Sequence, residues 1–486
     1  MPDLSPRRRL LVLGICCLSL LIVSIDNTIL NVALPALQRD FHASLPGLQW
    51  TIDAYLITLA SLLILSGSTG DRIGRRRVFQ TGLALFVTGS VLCSLAPSLG
   101  WLVAARVVQA VGGSMLNPVA MSIITNVFTG PRERARAIGV WGGVVGLSMA
   151  LGPLAGGLLV DSVGWRAIFW LNLPIGAAAL VLTALFVPES RAPRPRRVDP
   201  LGQGLMIVTL ASLTFAIIEA PGTGWTSPAV AGGALVAAAA LAAFVAHARR
   251  AAEPLIDLRF FRSVPFSGAT VIAVCGFAAL AGFLFVNALY LQNVRGLSAL
   301  RAGLFLLPMA VMTAAFGPLS GRLVGARGPR LPLQIAGAAM LASGLMFALF
   351  DAETGTVSLF TAYVLFGLGF GMVNAPITNT AVSGMPRAQA GVAAAVASTS
   401  RQVGQALGVA VIGAVLAAGT GPGPDAASRF VGAARPAYWV LAGCAAAVLV
   451  LGTLTTGRRA ARSAARVSAL FETGPERHPV SGASTR

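Results

Sequence analysis

Apolar segments long enough to cross a lipid bilayer follow one another through the whole 486-residue chain. A helix needs about 20 apolar residues to cross the hydrocarbon core, and these segments have about that length. They lie near residues 10–32, 50–69, 78–96, 100–122, 136–160, 168–187, 202–219, 229–247, 266–291, 302–325, 331–350, 357–381, 391–418 and 437–456. We therefore predict an all-α integral membrane protein with fourteen spans.

The composition excludes several other classes of protein. Hydrophobic residues make up 56% of the chain and charged residues 11%, which is too few charges to cover a soluble surface. All 36 basic residues are arginine, so a phosphate-binding loop that ends in lysine is impossible, and with it an ATPase motor of that kind. Five cysteines and three histidines are scattered without ligand spacing. We expect no metal site and no cofactor.

The arginines predict the orientation of the chain. With the N-terminus inside, 28 of the 36 arginines fall in inside segments and six in outside segments, while Arg106 and Arg401 fall within spans. This asymmetry follows the positive-inside rule and predicts cytoplasmic termini in a bacterial cell membrane. The net charge of +19 then belongs to loops that face anionic lipids, and we expect no nucleic-acid partner. The run after Arg7–Arg9 is too long for a signal peptide, so we interpret it as the first span.

Weak internal similarity predicts two halves. Gly67–Arg72 has an echo in Gly317–Arg322, and Gly112–Pro118 has one in Gly369–Pro376, each eight spans later. Two six-helix bundles separated by two additional helices give that offset, and parallel halves of this kind occur in secondary transporters. We expect an N-terminal bundle over 1–190, a linker with two additional spans over 191–250, a C-terminal bundle over 251–457, and a basic cytoplasmic tail over 458–486 that begins on the membrane surface.

A single carboxylate, Asp26, lies inside the first apolar segment. A charge at the centre of a bilayer costs at least about 2.5–3.5 kcal/mol, so it requires a partner, a water-filled cavity or a proton. The nearby polar residues Asn27, Thr28 and Asn31 can hydrogen-bond the Asp26 side chain whether it is a carboxylate or a carboxylic acid. The alternative, an acid that reaches the interface near a helix end, is disfavoured because Asp26 lies about fifteen residues into the apolar run.

The loop after the second span, residues 67–77, reads GSTGDRIGRRR. Its glycines permit a tight turn, and its acid and arginines can form contacts that break and re-form when helices move. A generic basic loop explains the arginines but not their order with glycine and aspartate. We predict a conformational latch formed by Gly67, Asp71, Arg72, Gly74, Arg75 and Arg76.

This loop resembles the signature loop of the major facilitator superfamily. Arg106–Gly113 resembles the fourth-helix motif of its drug:proton antiporters. Gly152-Pro153 with Gly156-Gly157 resembles their fifth-helix motif, and Gly139 fits the series of spaced glycines that precedes this motif in those antiporters. Ser148 departs from the usual glycine. Together with Asp26 and further matches over nearly the whole chain, these segments resemble the fourteen-span EmrB/QacA-type branch. The resemblance implies two six-helix bundles plus two helices, and a fifth helix that seals against proton leak; an ordinary kink is the alternative.

The residues support a proton-coupling site independently. Arg106, Ala110, Gly113 and Asn117 share one helical stripe, so a buried arginine faces the same way as residues that allow close helix approach. We hypothesise that Arg106 neighbours Asp26 in at least one state and favours its ionised form; a static ion pair is the alternative.

Other polar residues within the spans are candidates for proton or substrate contacts. Asp53 is a second protonation site, a cation contact or an exposed acid at a helix start. Arg401 is a substrate-side charge or a bridge to a carbonyl group, and Glu219 is favoured as an interfacial acid. The candidate substrate cavity comprises Asn27, Asn31, Tyr55, Gln109, Asn117, Glu219, Asn374, Arg401 and Gln405.

These features favour proton-coupled efflux of amphipathic or cationic organic compounds by a monomeric multidrug or antibiotic exporter. An exporter of one endogenous metabolite or antibiotic is the alternative with the same fold. A nutrient symporter is disfavoured by the fifth-span glycines. A membrane enzyme lacks a reactive cluster in this sequence. A scaffold without transport leaves Asp26 and Arg106 unexplained.

Overall fold

The computed structural model describes residues 5–192, 198–351, 353–383, 385, 389–419 and 426–472. These residues form helices and no strand. The α-helices are α1 (Pro6–Phe41), α2 (Leu45–Ile73), α3 (Arg75–Ser94), α4 (Leu99–Val127), α5 (Pro131–Ser162), α6 (Ala167–Trp170), α7 (Asn172–Phe186), α8 (Pro200–Thr223), α9 (Pro228–Arg250), α10 (Val264–Leu289), α11 (Ala299–Phe305), α12 (Leu307–Arg327), α13 (Arg330–Ala348), α14 (Thr356–Val382), α15 (Ala390–Gly419), α16 (Ala426–Leu454) and α17 (Arg458–Glu472).

Within the described residues, fourteen helical segments are long and apolar enough to cross a membrane, which confirms the predicted number of spans. Three of these spans are interrupted. The sixth breaks at Leu171 between α6 and α7, and the ninth ends in a π-helical turn, Tyr290–Val294. The tenth breaks at Leu306, just before Pro308, which lacks an amide hydrogen to continue the helix.

Serine caps fix the start of several spans at one end of the molecule. The hydroxyls of Ser44, Ser98, Ser227 and Ser298 each accept a hydrogen bond from a backbone amide in the first turn of the following helix, at 3.3–3.4 Å. Such caps satisfy amides that a helix start leaves unpaired.

The two halves, α1–α7 and α10–α16, meet at the end of the molecule farther from Ser5 and α17, which we call the closed end. There Gln49 Nε2 donates to the carbonyl oxygens of Val409 and Ala410, at 3.2 and 2.9 Å. The Asp161 carboxylate accepts the first backbone amides of α11, Ala299 and Leu300, at 3.1 and 2.9 Å. Polar contacts between α2 and α15 and between α5 and α11 thus hold this end together.

Toward the opposite, open end, α5 and α12 diverge. Near mid-helix, a Cβ built on Gly146 of α5 lies 3.3 Å from Ala314 Cα of α12. Farther along the same helical stripes, toward the open end, glycines of both helices have no close neighbour. A Cβ built there meets no described atom within 4 Å at Gly139 and Gly143 of α5 or at Gly317, Gly321 and Gly325 of α12. A cleft between the halves therefore widens toward the end that carries α17.

The additional hairpin α8–α9 packs on α2 and α15 and is anchored by Asp199. This carboxylate accepts the backbone amides of Gly202 and Leu255 and a hydrogen bond from His247, at 2.8–2.9 Å. Burial raises the pKa of Asp199, but these hydrogen bonds outweigh burial and hold the pKa below its ordinary value. The anchor joins the start of α8, the end of α9 and the segment before α10.

Candidate functional site

The Asp26 carboxylate and the Arg106 guanidinium form a buried ion pair between α1 and α4. Arg106 Nη1 lies 2.5 Å from Asp26 Oδ2, and each side chain is 1% exposed. Asp26 is the twenty-first of the 36 residues of α1, far from either end of the helix. An ion pair removed from water at this depth is costly to break, because the remaining charge has no solvent to replace its partner.

Amide side chains complete the coordination of Asp26. Gln109 Nε2 and Asn172 Nδ2 both donate to Asp26 Oδ1, at 2.8 and 3.0 Å. Both amides also lie within hydrogen-bond distance of Ser90 Oγ, at 2.8 and 3.2 Å. Side chains from α1, α3, α4 and α7 therefore converge on one carboxylate in a buried network whose members depend on one another.

Arg106 is also held by α2. Its Nε donates to the carbonyl oxygen of Thr51 at 3.3 Å, and its guanidinium lies 4.1 Å from the centroid of the Tyr55 ring. Such a cation–π contact stabilises a charge that is removed from water. Arg106 Nη1 additionally donates to Gln109 Oε1 at 2.6 Å. The guanidinium is therefore fixed from α1, α2 and its own helix.

Glycines bring these helices close enough for the network to form. A Cβ at Gly89 of α3 would lie 2.5 Å from Gln109 Cα, and a Cβ at Gly113 of α4 would lie 3.0 Å from the Tyr55 hydroxyl. Because larger residues would separate the helices, these positions determine whether Ser90 and Tyr55 reach Arg106 and Gln109.

The glycine-proline motif of α5 packs on both halves of the molecule. A Cβ at Gly152 would collide with the Thr28 hydroxyl, and one at Gly156 would lie 2.6 Å from Ile29 Cγ1, so α5 packs against α1 just beyond Asp26. On its other side, Gly303 of α11 packs against the Pro153 carbonyl. A Cβ at Gly157 would lie 2.5 Å from Leu300 Cα. The motif thus joins the helix that carries Asp26 to the interface between the halves.

Asp53 is fully buried in α2, and neither of its carboxyl oxygens has a hydrogen-bond partner among the described residues. Of the three alternatives for Asp53, the exposed acid at a helix start is therefore wrong. Asp53 lies one turn from Gln49, on the face of α2 that packs against α15. A buried carboxyl group without donors is costly as an anion, which sets Asp53 apart from the paired Asp26.

The predicted latch lies at the junction of α2 and α3. The expectation of a loop over residues 67–77 is wrong, because α2 continues to Ile73 and α3 begins at Arg75, which leaves Gly74 alone between the helices. Asp71 Oδ1 accepts from Arg75 Nε and Nη2 at 3.0 and 2.7 Å, while Gly74 has φ of 130°, a conformation that favours glycine. The Asp71 carbonyl accepts from the Ala192 amide at 3.0 Å, and Glu189 accepts from the Arg76 amide at 3.1 Å. The loop is therefore bound to the segment after α7, within the same half.

The remaining latch residues have different surroundings. Arg72 is exposed, and a Cβ at Gly67 would lie 3.5 Å from Pro118 of α4. The loop thus also approaches α4, which carries Arg106 at its other end.

The other cavity candidates make no hydrogen bond to Asp26 among the described residues, and four of them lie on other helices: α8, α14 and α15. Arg401 of α15 bonds Asn374 of α14 at 3.2 Å, and Gln405 lies one turn farther along α15. Glu219 of α8 accepts a hydrogen bond from Trp50 Nε1 at 3.0 Å near the closed end. Three candidates remain on α1 and α4. Asn27 accepts a hydrogen bond from Asn31 through its carbonyl oxygen, at 3.2 Å, while the side-chain oxygens of Asn31 and Asn117 have no partner among the described residues.

Sequence reasoning omitted Ser90, Asn172 and the Thr51 carbonyl from the site. Asn172 stands in an apolar segment directly before Leu-Pro, a signal that is visible but unspecific. Ser90 carries no signal, because serine in a membrane helix can bond its own backbone.

A helical membrane protein built of two halves, with an ion pair buried inside one of them, has the construction of a secondary transporter. The chain belongs to the Major Facilitator Superfamily, whose sequence profile matches residues 16–409. The multidrug resistance protein Stp of Mycobacterium tuberculosis is 38% identical over 412 residues, which cover 85% of this chain and 76% of that protein. The tetracenomycin C resistance and export protein of Streptomyces glaucescens is 39% identical over 402 residues, 82% of this chain and 74% of that protein.

A solved structure shows the same fold. The inward open conformation of the xylose transporter XylE from E. coli has a TM-score of 0.63 at 16% identity, covering 94% of this chain and 99% of that chain. Together with the fourteen spans, these findings confirm the predicted superfamily and its fourteen-span drug-efflux branch, and they confirm the predicted fold class. The chain is a multi-pass membrane protein of a transporter family.

Proposed function

We propose that this protein exports amphipathic or cationic organic compounds from a bacterial cytoplasm in exchange for protons, as a monomer with cytoplasmic termini. The buried contact between Asp26 and Arg106 is the observation that carries the proposal. A titratable group inside a transporter that lacks an ATP-binding loop is the natural coupling element. The export function is supported by the relatives whose names describe multidrug resistance and antibiotic export.

In the proposed cycle, the open end faces the cytoplasm and admits substrate to the cleft. Separation of Arg106 from Asp26 leaves the carboxylate without its counter-charge, so Asp26 takes up a proton from outside. Return of the guanidinium releases that proton inside. Gln109 and Asn172 stay as partners throughout, because an amide can donate to a carboxylate or accept from a carboxylic acid.

The entry of one proton supplies enough free energy to drive the export of a neutral substrate. A membrane potential contributes about 2.3 kcal/mol per charge per 100 mV, so about 150 mV supplies about 3.5 kcal/mol. At about 1.4 kcal/mol per decade, this supports a gradient of a few hundredfold for a neutral substrate.

The proposal assigns the remaining parts around this centre. We assign residues 1–190 to the N-terminal bundle, 191–250 to the linker with the two additional helices, and 251–457 to the C-terminal bundle. Residues 458–486 form the tail on the cytoplasmic side, beside anionic lipids. Asp53 is a second protonation site, because it is the carboxyl group of α2 that is buried without a partner among the described residues. The Asp71–Arg75 loop is the latch on the cytoplasmic side, and the α5 motif is the seal beside Asp26.

A dedicated exporter of a single antibiotic is the second candidate. It is favoured by the identity of 39% to a protein named for tetracenomycin C resistance and export. The two candidates differ in the number of compounds that are moved.

Transport by the purified protein in proteoliposomes tests the proposal. We expect an imposed pH gradient to drive ethidium or tetracenomycin C against its concentration gradient, and a protonophore to abolish this movement. Movement of several unrelated compounds supports the multidrug exporter, whereas movement of one supports the dedicated exporter. Uptake that is unaffected by the pH gradient would contradict proton coupling.

A further inference from the structure

Arg401 lies well inside α15, and its surroundings differ from those of Arg106. It lies eleven residues after Ala390, the first residue of α15, which places it about 16 Å along the helix. Its Nη1 donates to Asn374 Oδ1 and Thr378 Oγ1, at 3.2 and 3.1 Å, and both acceptors are uncharged. Among the described residues no carboxylate pairs with Arg401, whereas Asp26 neutralises Arg106.

The surroundings of Arg401 face the cleft. Asn374 and Thr378 are exposed and share one face of α14, one turn apart. Lipid-facing positions at this depth are apolar, so an exposed polar face in a span lies toward water or a binding cavity. Among the described residues, the Nε and Nη2 groups of Arg401 have no acceptor in the protein, and they remain available as donors.

Two further groups lie beside this guanidinium. Gln405, one turn toward the closed end, is half-buried, and its amide has no hydrogen-bond partner among the described residues. The Phe277 ring of α10 lies with its centroid 6.0 Å from the Arg401 guanidinium and is itself fixed edge-to-face by Phe370, at 5.2 Å between centroids. Phe277 is 8% exposed, so a cation and an amide on the C-terminal half lie together against a largely buried aromatic ring.

We propose that Arg401, Gln405 and Phe277 form an anion-recognising subsite, and that the transported compounds include planar aromatic molecules that carry an acidic group. This proposal rests on the proposed function, since the compound must enter the cleft. A guanidinium binds a carboxylate or sulfonate through two parallel hydrogen bonds, and its plane can stack on an aromatic ring of the compound. Asn374 and Thr378 hold Nη1 in place, which leaves the other donors directed away from α14.

A purely structural role for Arg401, as a tether between α14 and α15, makes a different prediction about ligands. A tether affects every compound in the cleft alike, whereas an anion subsite affects acidic compounds selectively. Two fluorescent probes separate these cases. 8-Anilinonaphthalene-1-sulfonate and N-phenyl-1-naphthylamine share their rings, and only the first carries a sulfonate.

The experiment measures equilibrium binding of both probes to the full chain in nanodiscs of neutral lipid, without a pH gradient. We expect the wild type to bind the sulfonate at least about tenfold more tightly than the amine. Arg401→Gln should lose about tenfold in sulfonate affinity and keep its affinity for the amine, and Arg401→Lys should retain part of the preference because it keeps the charge. Arg39→Gln, an exposed arginine at the closed end, is the matched control and should behave as the wild type.

Equal losses for both probes in Arg401→Gln, no loss for either, or no binding of the sulfonate to the wild type would each overturn the subsite. If Arg401→Gln does not fold, the wild type provides the test through phenylglyoxal modification followed by peptide mass spectrometry. The sulfonate should protect Arg401 from phenylglyoxal and the amine should not; equal modification with both probes overturns the proposal. Because no proton gradient is used, failure here is distinct from failure of proton-driven export.

Discussion

At the scale of single residues, the molecule depends on a charge that is balanced within the membrane. Asp26 and Arg106 are each 1% exposed, and the donors around the carboxylate come from two other helices, α4 and α7. Removing one member of a buried ion pair leaves the other charge uncompensated, which costs about 3–5 kcal/mol, whereas removing both costs less.

We therefore expect Arg106→Gln to lower the free energy of unfolding by about 3–5 kcal/mol. The double variant Asp26→Asn/Arg106→Gln should recover a large part of that loss, because no net charge remains buried. Denaturant unfolding in detergent micelles measures both effects. Arg77→Gln is the control, since Arg77 and Glu189 form an exposed pair at 3.8 Å that contributes less than about 1 kcal/mol. A double variant no more stable than Arg106→Gln alone would contradict the ion-pair interpretation.

The sequence predicted this pair but not its environment. A lone carboxylate and a lone arginine in membrane helices each require a counter-charge, so their pairing follows from the cost of leaving them apart. Asn172 and Ser90 could not be predicted in the same way, because an amide or a hydroxyl in a helix has backbone partners available. The burial of Asp53 also depends on how α2 packs against α15, which its position near a helix start does not specify.

At the scale of helices, α5 has two different halves. Near the closed end, the glycines of α5 pack against α1 and α11. Near the open end, a Cβ built on Gly139 or Gly143 would meet no described atom within 4 Å. The matching stripe of α12 is likewise uncovered at Gly317, Gly321 and Gly325. When the open end closes, these two stripes of small residues are in position to pack against each other.

A side chain at Gly157 should prevent closure of the end where the halves now meet, because its Cβ would lie 2.5 Å from Leu300 Cα. We expect Gly157→Val to slow disulfide formation between cysteines at positions 38 and 293, measured by peptide mass spectrometry in a background without native cysteines. In the wild type, Asn293 Nδ2 and Gln38 Oε1 lie 3.4 Å apart across this interface.

Gly139→Val is the matched control, because its Cβ meets no described atom in this state. It should leave the cross-linking rate unchanged and still reduce transport, since it obstructs α12 when the open end closes. Cross-linking of Gly157→Val at the wild-type rate, or full transport by Gly139→Val, would contradict this account of α5.

Hydropathy and length were sufficient to predict the fourteen spans, because each must satisfy its own backbone over the full bilayer. The breaks at Leu171 and Leu306 and the π-helical turn at Tyr290–Val294 were not predicted. Such interruptions depend on contacts with neighbouring helices, and Gly and Pro occur in many spans without causing them. Residues 193–197 of the predicted linker and residues 473–486 of the predicted tail lie outside the described residues.

At the scale of the whole molecule, the halves meet at one end and separate at the other, and the ion pair lies inside the N-terminal half. The α5 motif connects these features, because Gly152 and Gly156 contact α1 beside Asp26 while Gly157 contacts α11 of the other half. A change in the charge of Asp26 can therefore be transmitted through α5 to the interface between the two halves. Alternating access requires coupling of this kind between a titratable group and the position of the halves.

Transport by Asp26→Asn in proteoliposomes tests the central claim most directly. The same vesicles are assayed twice, for exchange of labelled against unlabelled substrate at equal pH and for accumulation under an imposed pH gradient. The account predicts that Asp26→Asn keeps exchange, because the substrate path is intact, and loses accumulation, because no proton is bound. Accumulation by Asp26→Asn at the wild-type level and with the wild-type dependence on pH would contradict it.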